Sequence, residues 1–151
     1  YIAMLRISKL TDYAILVMVE LTREGEVLSA HALADRVGIE VPTASKVLKL
    51  LAGNGLLDSY RGPSGGYRAG RAATDISVAE VITAIEGPIA MTECSEEEGL
   101  CSQEADCELR GNWQRISLAV SRALNDVSLA EMSAPARQKP PGPLSITTLN
   151  T

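Results

Sequence analysis

Residues 38–68 read GIEVPTASKVLKLLAGNGLLDSYRGPSGGYR. Pro42 stands where a first-turn proline starts a helix, and Asn54-Gly55 supplies its end. The apolar positions of that helix recur at helical spacing, and they are Ala44, Val47, Leu48 and Leu51. The opposite side holds small polar and basic residues, which are Thr43, Ser45, Lys46 and Lys49. Such a side suits the major groove of DNA, because it offers donors to base edges and cations to phosphates.

A β-hairpin is predicted directly after this helix. Residues 56–60 have strand character, residues 61–66 are rich in turn formers, and Tyr67-Arg68 begins the return strand. A hairpin in this place is typical of a wing, whose glycines let the backbone approach DNA and whose Arg61 can enter a minor groove. The alternative is a plain surface hairpin. The predicted DNA contacts are Thr43, Ser45, Lys46, Lys49, Arg61, Ser64 and Gly65.

The residues before the predicted recognition helix indicate two further helices. A helical apolar pattern runs from Ser8 to Glu24, and a shorter helix is capped by Ser29 and ended by Gly38. Two short helices joined by a tight turn with glycine form a helix-turn-helix. An ordinary helical hairpin with a solvated face is the alternative.

The second half of the chain predicts two more helices and a tail. Ser77 and Glu80 form a capping box, and a long amphipathic helix spans about 109–126, with Trp113 as a packing residue. That helix pairs with its copy or packs on its own domain. We therefore predict a mainly α fold: a winged helix-turn-helix (4–71), a cysteine-containing loop with a long dimerisation helix (72–133), and a disordered tail (134–151).

Composition and charge narrow the function classes. The 151 residues carry a net charge of −5, but residues 1–71 hold 9 basic and 7 acidic residues, whereas residues 72–133 hold 3 and 12. The first part is thus the one able to approach phosphate. No apolar run is long enough to span a membrane, no secretory signal is evident, and an odd cysteine count argues against a disulfide framework. A cytoplasmic location is expected.

Three cysteines form the candidate sensor site. Cys94, Cys101 and Cys107 have the spacing C-x6-C-x5-C in an acidic stretch without helical periodicity. Thiolates bind soft metals and iron–sulfur clusters. Uninvolved surface thiols, a redox disulfide with one spare thiol, and a zinc site are the alternatives, although zinc usually shows closer cysteine pairs.

The fourth ligand is not a cysteine. The only histidine, His31, is expected on the surface of the helix-turn-helix. Asp106 and Glu108 are local oxygen candidates, and Asp12 is a candidate across a dimer interface.

Several segments together resemble a known family. They are LTDYA at 10–14, the turn and helix 38–55, the wing RGPSGGY at 61–67, and the cysteine loop. These resemble the winged-helix iron–sulfur transcription factors of bacteria, the Rrf family with its IscR, NsrR and SUF-system branches. Residues 85–94 and 110–116 look closest to regulators of SUF cluster-assembly operons.

The resemblance implies a homodimer with its recognition helix in the major groove and Arg61 in the minor groove. It implies base or phosphate contacts for Thr43, Ser45 and Lys46, and a cluster, 2Fe-2S or 4Fe-4S, on the three cysteines. Two departures from the IscR branch bear on the cluster: this chain has Arg110 where that branch has a histidine, and its first gap between cysteines is one residue longer. The resemblance to that branch therefore leaves the fourth ligand and the cluster type open. The nitric-oxide-sensing branch uses a first-helix aspartate of the partner, whose position Asp12 matches.

The sequence predicts a cluster-sensing repressor or other regulator of iron–sulfur assembly genes that binds an operator as a homodimer. A second hypothesis replaces the cluster with thiol-redox or zinc chemistry. A third is an assembly or electron-transfer protein with a helix-turn-helix that does not bind DNA. No enzyme site is evident, because the sequence shows no phosphate-binding glycine loop, no His–Cys pair in a plausible arrangement and no carboxylate pair on one helix face.

Overall fold

The computed structural model describes residues 6–90 and 110–134. In chain order the elements are α1 (Lys9–Glu24), α2 (Ala30–Val37), α3 (Val41–Gly53), β1 (Leu57–Tyr60), β2 (Gly66–Ala69), a 3-10 turn (Ala73–Asp75), α4 (Val78–Glu86), α5 (Arg110–Asn125) and α6 (Leu129–Ser133). The two strands pair antiparallel in one sheet. This mainly helical architecture confirms the predicted winged-helix class.

Side-chain caps define where the helices begin. The Ser29 hydroxyl accepts a 3.1 Å hydrogen bond from the backbone N–H of Ala32 at the start of α2. Capping boxes start α4 at Ser77 and α6 at Ser128, each completed by a glutamate three residues later. The helix starts predicted at Ser29 and Ser77 are thus confirmed.

One hydrophobic core joins both halves of the described chain. It is built from helical stripes of α1, α3 and α4, together with side chains from α2, the hairpin, α6 and the segments between these elements. The largest fully buried side chains are Met18, Leu21, Leu33, Leu48, Leu51, Ile76 and Leu129. Because α3 and the hairpin share this core with α4, the helix-turn-helix is packed directly on the element that leads to the cysteine segment.

The long helix α5 is fixed mainly at its C-terminal end. The backbone N–H of Val78 donates to Val127 and that of Leu129 donates to Ile76, each at 2.9 Å. Leu124 and Val127 pack on the core, whereas Ile116 and Leu118 stay exposed. Among the described residues, the predicted apolar stripe of α5 therefore packs on the hydrophobic core through its C-terminal end.

Among residues 6–90 and 110–134, no helix has the length and apolar character needed to cross a bilayer.

Candidate nucleic-acid interface

The turn between α2 and α3 has the geometry of a helix-turn-helix. Gly38 adopts a left-handed conformation with φ 72°, and its N–H donates to the Ala34 carbonyl at 2.9 Å. The N–H of Ile39 donates to the same carbonyl at 3.0 Å. Glycine tolerates this backbone without a steric penalty, so the chain reverses tightly into α3.

The two sides of α3 differ sharply in burial. Ala44, Val47, Leu48 and Leu51 are all fully buried. Lys46 and Lys49 lie exposed on the opposite side, while Thr43 and Ser45 are half-buried at its two edges. At about 100° per residue this places the lysines centrally and the short hydroxyl side chains beside them. The exposed side thus combines two cations with two short hydrogen-bonding groups.

The wing is anchored to the body through Leu28. β1 and β2 pair in the register Leu57↔Ala69 to Tyr60↔Gly66. Leu28 and Tyr67 exchange backbone hydrogen bonds of 2.9 and 2.8 Å, which extends the pairing to a third segment. A Cβ at Gly66 would collide with the Leu28 carbonyl oxygen, so this close approach requires glycine there.

The wing tip leaves its arginine exposed. The N–H of Gly65 donates to the Gly62 carbonyl at 2.9 Å, and Gly62 has φ 104°. A Cβ at Gly65 would overlap the Tyr60 carbonyl oxygen, so Gly65 is needed to close the tip. Arg61 and Ser64 are exposed on this turn.

Ion pairing separates the cations of the described residues into two groups. Arg23, Arg36 and Arg71 are paired with glutamates. The hydrogen bond with Glu24 raises the pKa of Arg36. Within residues 6–90 and 110–134, no carboxylate lies within 4.0 Å of Lys46, Lys49 or Arg61. The cations of α3 and the wing tip are therefore free to meet phosphate.

The sensor residues are placed only in part. Cys94, Cys101, Cys107, Asp106 and Glu108 lie outside the described residues. Asp12 is exposed in the first turn of α1, and His31 is exposed on α2. Among the described residues, no group of three or more His, Cys, Asp or Glu side chains could hold a metal ion.

A contact that the sequence patterns do not predict joins the start of α1 to the end of α4. Glu86, the last residue of α4, accepts hydrogen bonds from the Thr11 hydroxyl and the Ser8 N–H. Hydrogen bonds from the Ser8 and Thr11 side chains hold the pKa of the Glu86 carboxyl below its ordinary value. No local pattern reveals a pair 75 positions apart, although a cap for α1 was foreseeable from Ser8.

An apolar cleft of about 450 Å³ lies beside this contact, between the start of α1, the end of α4 and α5. Its lining includes Ile82, Ile89, Val120 and Leu124, with Arg6 and Glu86 as charged members. The cleft adjoins Ala90, the last described residue before the cysteine segment.

Known proteins match both the sequence and the fold. A family model described as Rrf2, an iron-dependent transcriptional regulator, matches residues 7–135. The HTH-type transcriptional regulator IscR of Serratia proteamaculans is 34% identical over 131 residues, which cover 85% of this chain and 79% of that protein. The IscR of Yersinia pestis is 33% identical over the same share of each chain.

Solved structures agree with these relatives. The structure of CymR, the global cysteine regulator of B. subtilis, superposes with a TM-score of 0.66 at 26% identity, covering 85% of this chain and 96% of CymR. The T. potens IscR structure has a TM-score of 0.62 at 24% identity, covering 89% and 93%. These relatives are transcription regulators, not enzymes. Since the Rrf2 family model matches most of the length of this chain, the chain belongs to the Rrf2 family and is a DNA-binding transcriptional regulator related to IscR.

Proposed function

We propose that the chain is a homodimeric regulator that reads an operator through α3 and the wing and senses an iron–sulfur cluster held by its three cysteines. The observation that carries the DNA part is the unpaired, exposed set of Lys46, Lys49 and Arg61 on two adjoining elements. Arg23, Arg36 and Arg71, by contrast, are paired with glutamates.

The proposed docking follows from the shape of the two elements. With α3 in the major groove, Lys46 and Lys49 meet phosphates while Thr43 and Ser45 reach base edges or phosphates. Arg61 enters the adjacent minor groove, where a guanidinium meets strong negative potential. Ser64 and Gly65 then bring the wing-tip backbone close to the DNA.

A homodimer is supported by exposed apolar side chains on α1 and α5. Leu16, Ile116 and Leu118 have 44%, 40% and 56% of their surface exposed. A second copy of the chain that covers these side chains also places two DNA-binding heads on one duplex, as helix-turn-helix dimers do.

The donor set fits an iron–sulfur cluster. Cys94, Cys101 and Cys107 supply three soft thiolates, the ligands that such clusters take. Asp12 supplies an exposed carboxylate with no hydrogen-bond or ion-pair partner among the described residues. When bound, the cluster supplies a centre that is sensitive to iron supply and oxidants. Asp12 from the partner copy would tie cluster loss to dimer geometry.

Genes for iron–sulfur cluster assembly are the proposed target. IscR relatives cover most of the chain, and the resemblance at 85–94 and 110–116 is to regulators of SUF operons. A regulator of these genes acts in the cytoplasm, because its operator DNA is there.

The DNA part is tested with duplexes selected from a random library by the wild-type protein. Lys46→Ala should weaken binding to the selected duplex and to an unrelated duplex of equal length by similar factors, since it removes a phosphate contact. Ser45→Ala should change the sequence preference. Arg23→Ala, which removes a cation paired with Glu20, is the matched control. Wild-type affinity of the Lys46→Ala and Arg61→Ala variants for both duplexes would reject this DNA-binding surface.

The cofactor part is tested on protein purified without oxygen. Iron and sulfide analysis with a visible spectrum should show a cluster in the wild type and its loss in Cys101→Ala. Asp12→Ala should alter the spectrum or speed cluster loss, whereas Asp35→Ala, at another exposed aspartate, should leave both unchanged. A colourless protein that resists reconstitution and carries zinc or a disulfide would contradict the cluster proposal. The sensor would then use zinc or thiol-redox chemistry.

A further inference from the structure

The outer face of the wing carries a second, preordered arginine. Side chains alternate along the hairpin, so Leu57, Tyr67 and Ala69 turn toward the core. Asp58, Tyr60 and Arg68 occupy the opposite, exposed face. The Arg68 guanidinium carbon lies 5.5 Å from the centre of the Tyr60 ring, which is cation–π geometry.

The reason for this pairing lies in the backbone. Tyr60 is directly opposite Gly66, which must be glycine because of the Leu28 carbonyl. The missing side chain leaves the Tyr60 ring uncovered, and Arg68 is its diagonal neighbour two residues farther along β2. An aromatic ring opposite a strand glycine, covered by a long side chain, stiffens the hairpin at that point.

The guanidinium itself has no acidic partner. Asp58 faces Arg68 across the strands, yet no ion pair within 4.0 Å joins Arg68 to any carboxylate of the described residues. By contrast, Arg71, three residues later, bonds the Glu80 carboxylate at 2.6 Å and the Asp75 carbonyl at 2.8 Å. Of these two neighbouring arginines, only Arg68 is available to an external anion.

We propose that Arg68, held on the Tyr60 ring, binds a DNA backbone phosphate from the shaft of the wing. This rests on the proposed DNA-binding function and adds a contact to it. A hairpin whose tip enters a minor groove about 6 Å wide must pass the phosphates at its border. Arg68 lies two residues along β2 from Gly66, the first residue of the strand after the tip, or about 7 Å back along the strand, at the level where those phosphates run. The contact with the ring restrains the guanidinium group, which has no carboxylate partner among the described residues.

The test compares Arg68→Ala with Arg71→Ala, since both remove one positive charge from the same part of the chain. Lys46→Ala serves as the reference, and each variant is first checked by circular dichroism. Affinity is measured for the selected duplex and an unrelated one between about 50 and 200 mM salt. Arg68→Ala should weaken binding to both duplexes by roughly three- to tenfold per protomer and lower the salt slope by about 0.9 per protomer. Arg71→Ala should change neither the affinity for the two duplexes nor the salt slope.

Tyr60→Leu tests the role of the ring. It should weaken binding by roughly two- to fivefold while leaving the salt slope as in the wild type, because the charge remains but its orientation is lost. If Lys46→Ala weakens binding while Arg68→Ala behaves like Arg71→Ala, the Arg68 contact is overturned and the DNA-binding function stands. If the wild-type protein binds no duplex, both the Arg68 contact and the proposed DNA-binding function are contradicted.

Discussion

The Thr11 hydroxyl donates a 2.7 Å hydrogen bond to the Glu86 carboxylate, which joins the first turn of α1 to the last residue of α4. The Ser8 N–H donates to the same oxygen at 3.0 Å. Thr11 is fully buried, so this pair is shielded from water on one side. The start of α1, which carries Asp12, is thereby held at the point where the chain leaves α4 toward the cysteines.

Removing the Thr11 hydroxyl should destabilise the fold. Thr11→Val leaves the Glu86 carboxylate without its shortest hydrogen bond, and hydrogen bonds to charged groups contribute about 1.5–3 kcal/mol. We expect the free energy of unfolding to fall by about 1–2 kcal/mol in denaturant titrations at neutral pH. Thr74→Val, at an exposed threonine, should be close to neutral. Equal stability of the two variants would show that the pair contributes nothing.

The same carboxylate should make stability depend on acid. Hydrogen bonds from Ser8 and Thr11 lower the pKa of Glu86 in the folded state, so its contribution is present above the unfolded pKa. That contribution is lost as the pH falls from about 4.5 through the folded pKa. Glu80 acts in the same range, since the Arg71 and Ser77 hydrogen bonds outweigh its burial and lower its pKa.

Glu86→Gln isolates the Glu86 contribution to this acid dependence. The amide oxygen still accepts hydrogen bonds but does not titrate, so the variant should lose less stability between pH 5 and pH 3 than the wild type. Thermal melting across about pH 3–7 measures the difference. Identical acid slopes in the two proteins would contradict the assignment.

Two glycines should respond in opposite ways to alanine. A Cβ at Gly66 meets the Leu28 carbonyl oxygen and its carbon, whereas nothing lies within 4 Å of a Cβ at Gly53. Gly66→Ala should therefore cost about 2 kcal/mol or more and detach the wing from Leu28. Gly53→Ala, at the end of α3, should be neutral or stabilising by up to about 1 kcal/mol. Melting temperatures test the pair, and a neutral Gly66→Ala would refute the tight approach.

The proposed dimer face on α5 is tested by charge. Leu118 is 56% exposed, so Leu118→Glu should leave the fold of each chain intact while disfavouring burial in an apolar interface. Sedimentation should show a dimer for the wild type and a weakened dimer or monomer for the variant. Thr74→Glu, which adds the same charge at another exposed position, should remain a dimer. If the Leu118→Glu variant sediments as a dimer like the wild type, Leu118 does not lie in the dimer interface.

Local patterns were sufficient to predict most of the fold. The caps at Ser29 and Ser77, the glycine at 38 and the stripe of α3 each depend on neighbours within a few residues, so the sequence shows them directly. The predicted start of the first strand was off by one residue, since β1 begins at Leu57 rather than Leu56. Strand ends depend on the pairing partner, which local sequence does not reveal.

The contacts between distant segments could not be predicted in this way. The Glu86–Thr11 pair and the Leu28–Tyr67 bridge depend on tertiary packing, and neither residue type nor spacing identifies them. The availability of Arg68 was equally unpredictable, because Asp58 faces it across the strands and yet no ion pair joins Arg68 to a carboxylate of the described residues. Chemistry-bearing residues such as the three cysteines were evident from their type alone, but their ligand role remains a prediction.

The central claim is that the cluster controls DNA binding, and one measurement tests it most directly. The affinity of the wild-type protein for its selected duplex is measured without oxygen, first with the cluster loaded and then after its removal by chelation. We predict affinities that differ by about fivefold or more, the range of typical coupling between two sites. Equal affinities of the loaded and cluster-free forms, each verified by iron and sulfide analysis, would contradict sensing and leave a regulator that does not respond to a cluster.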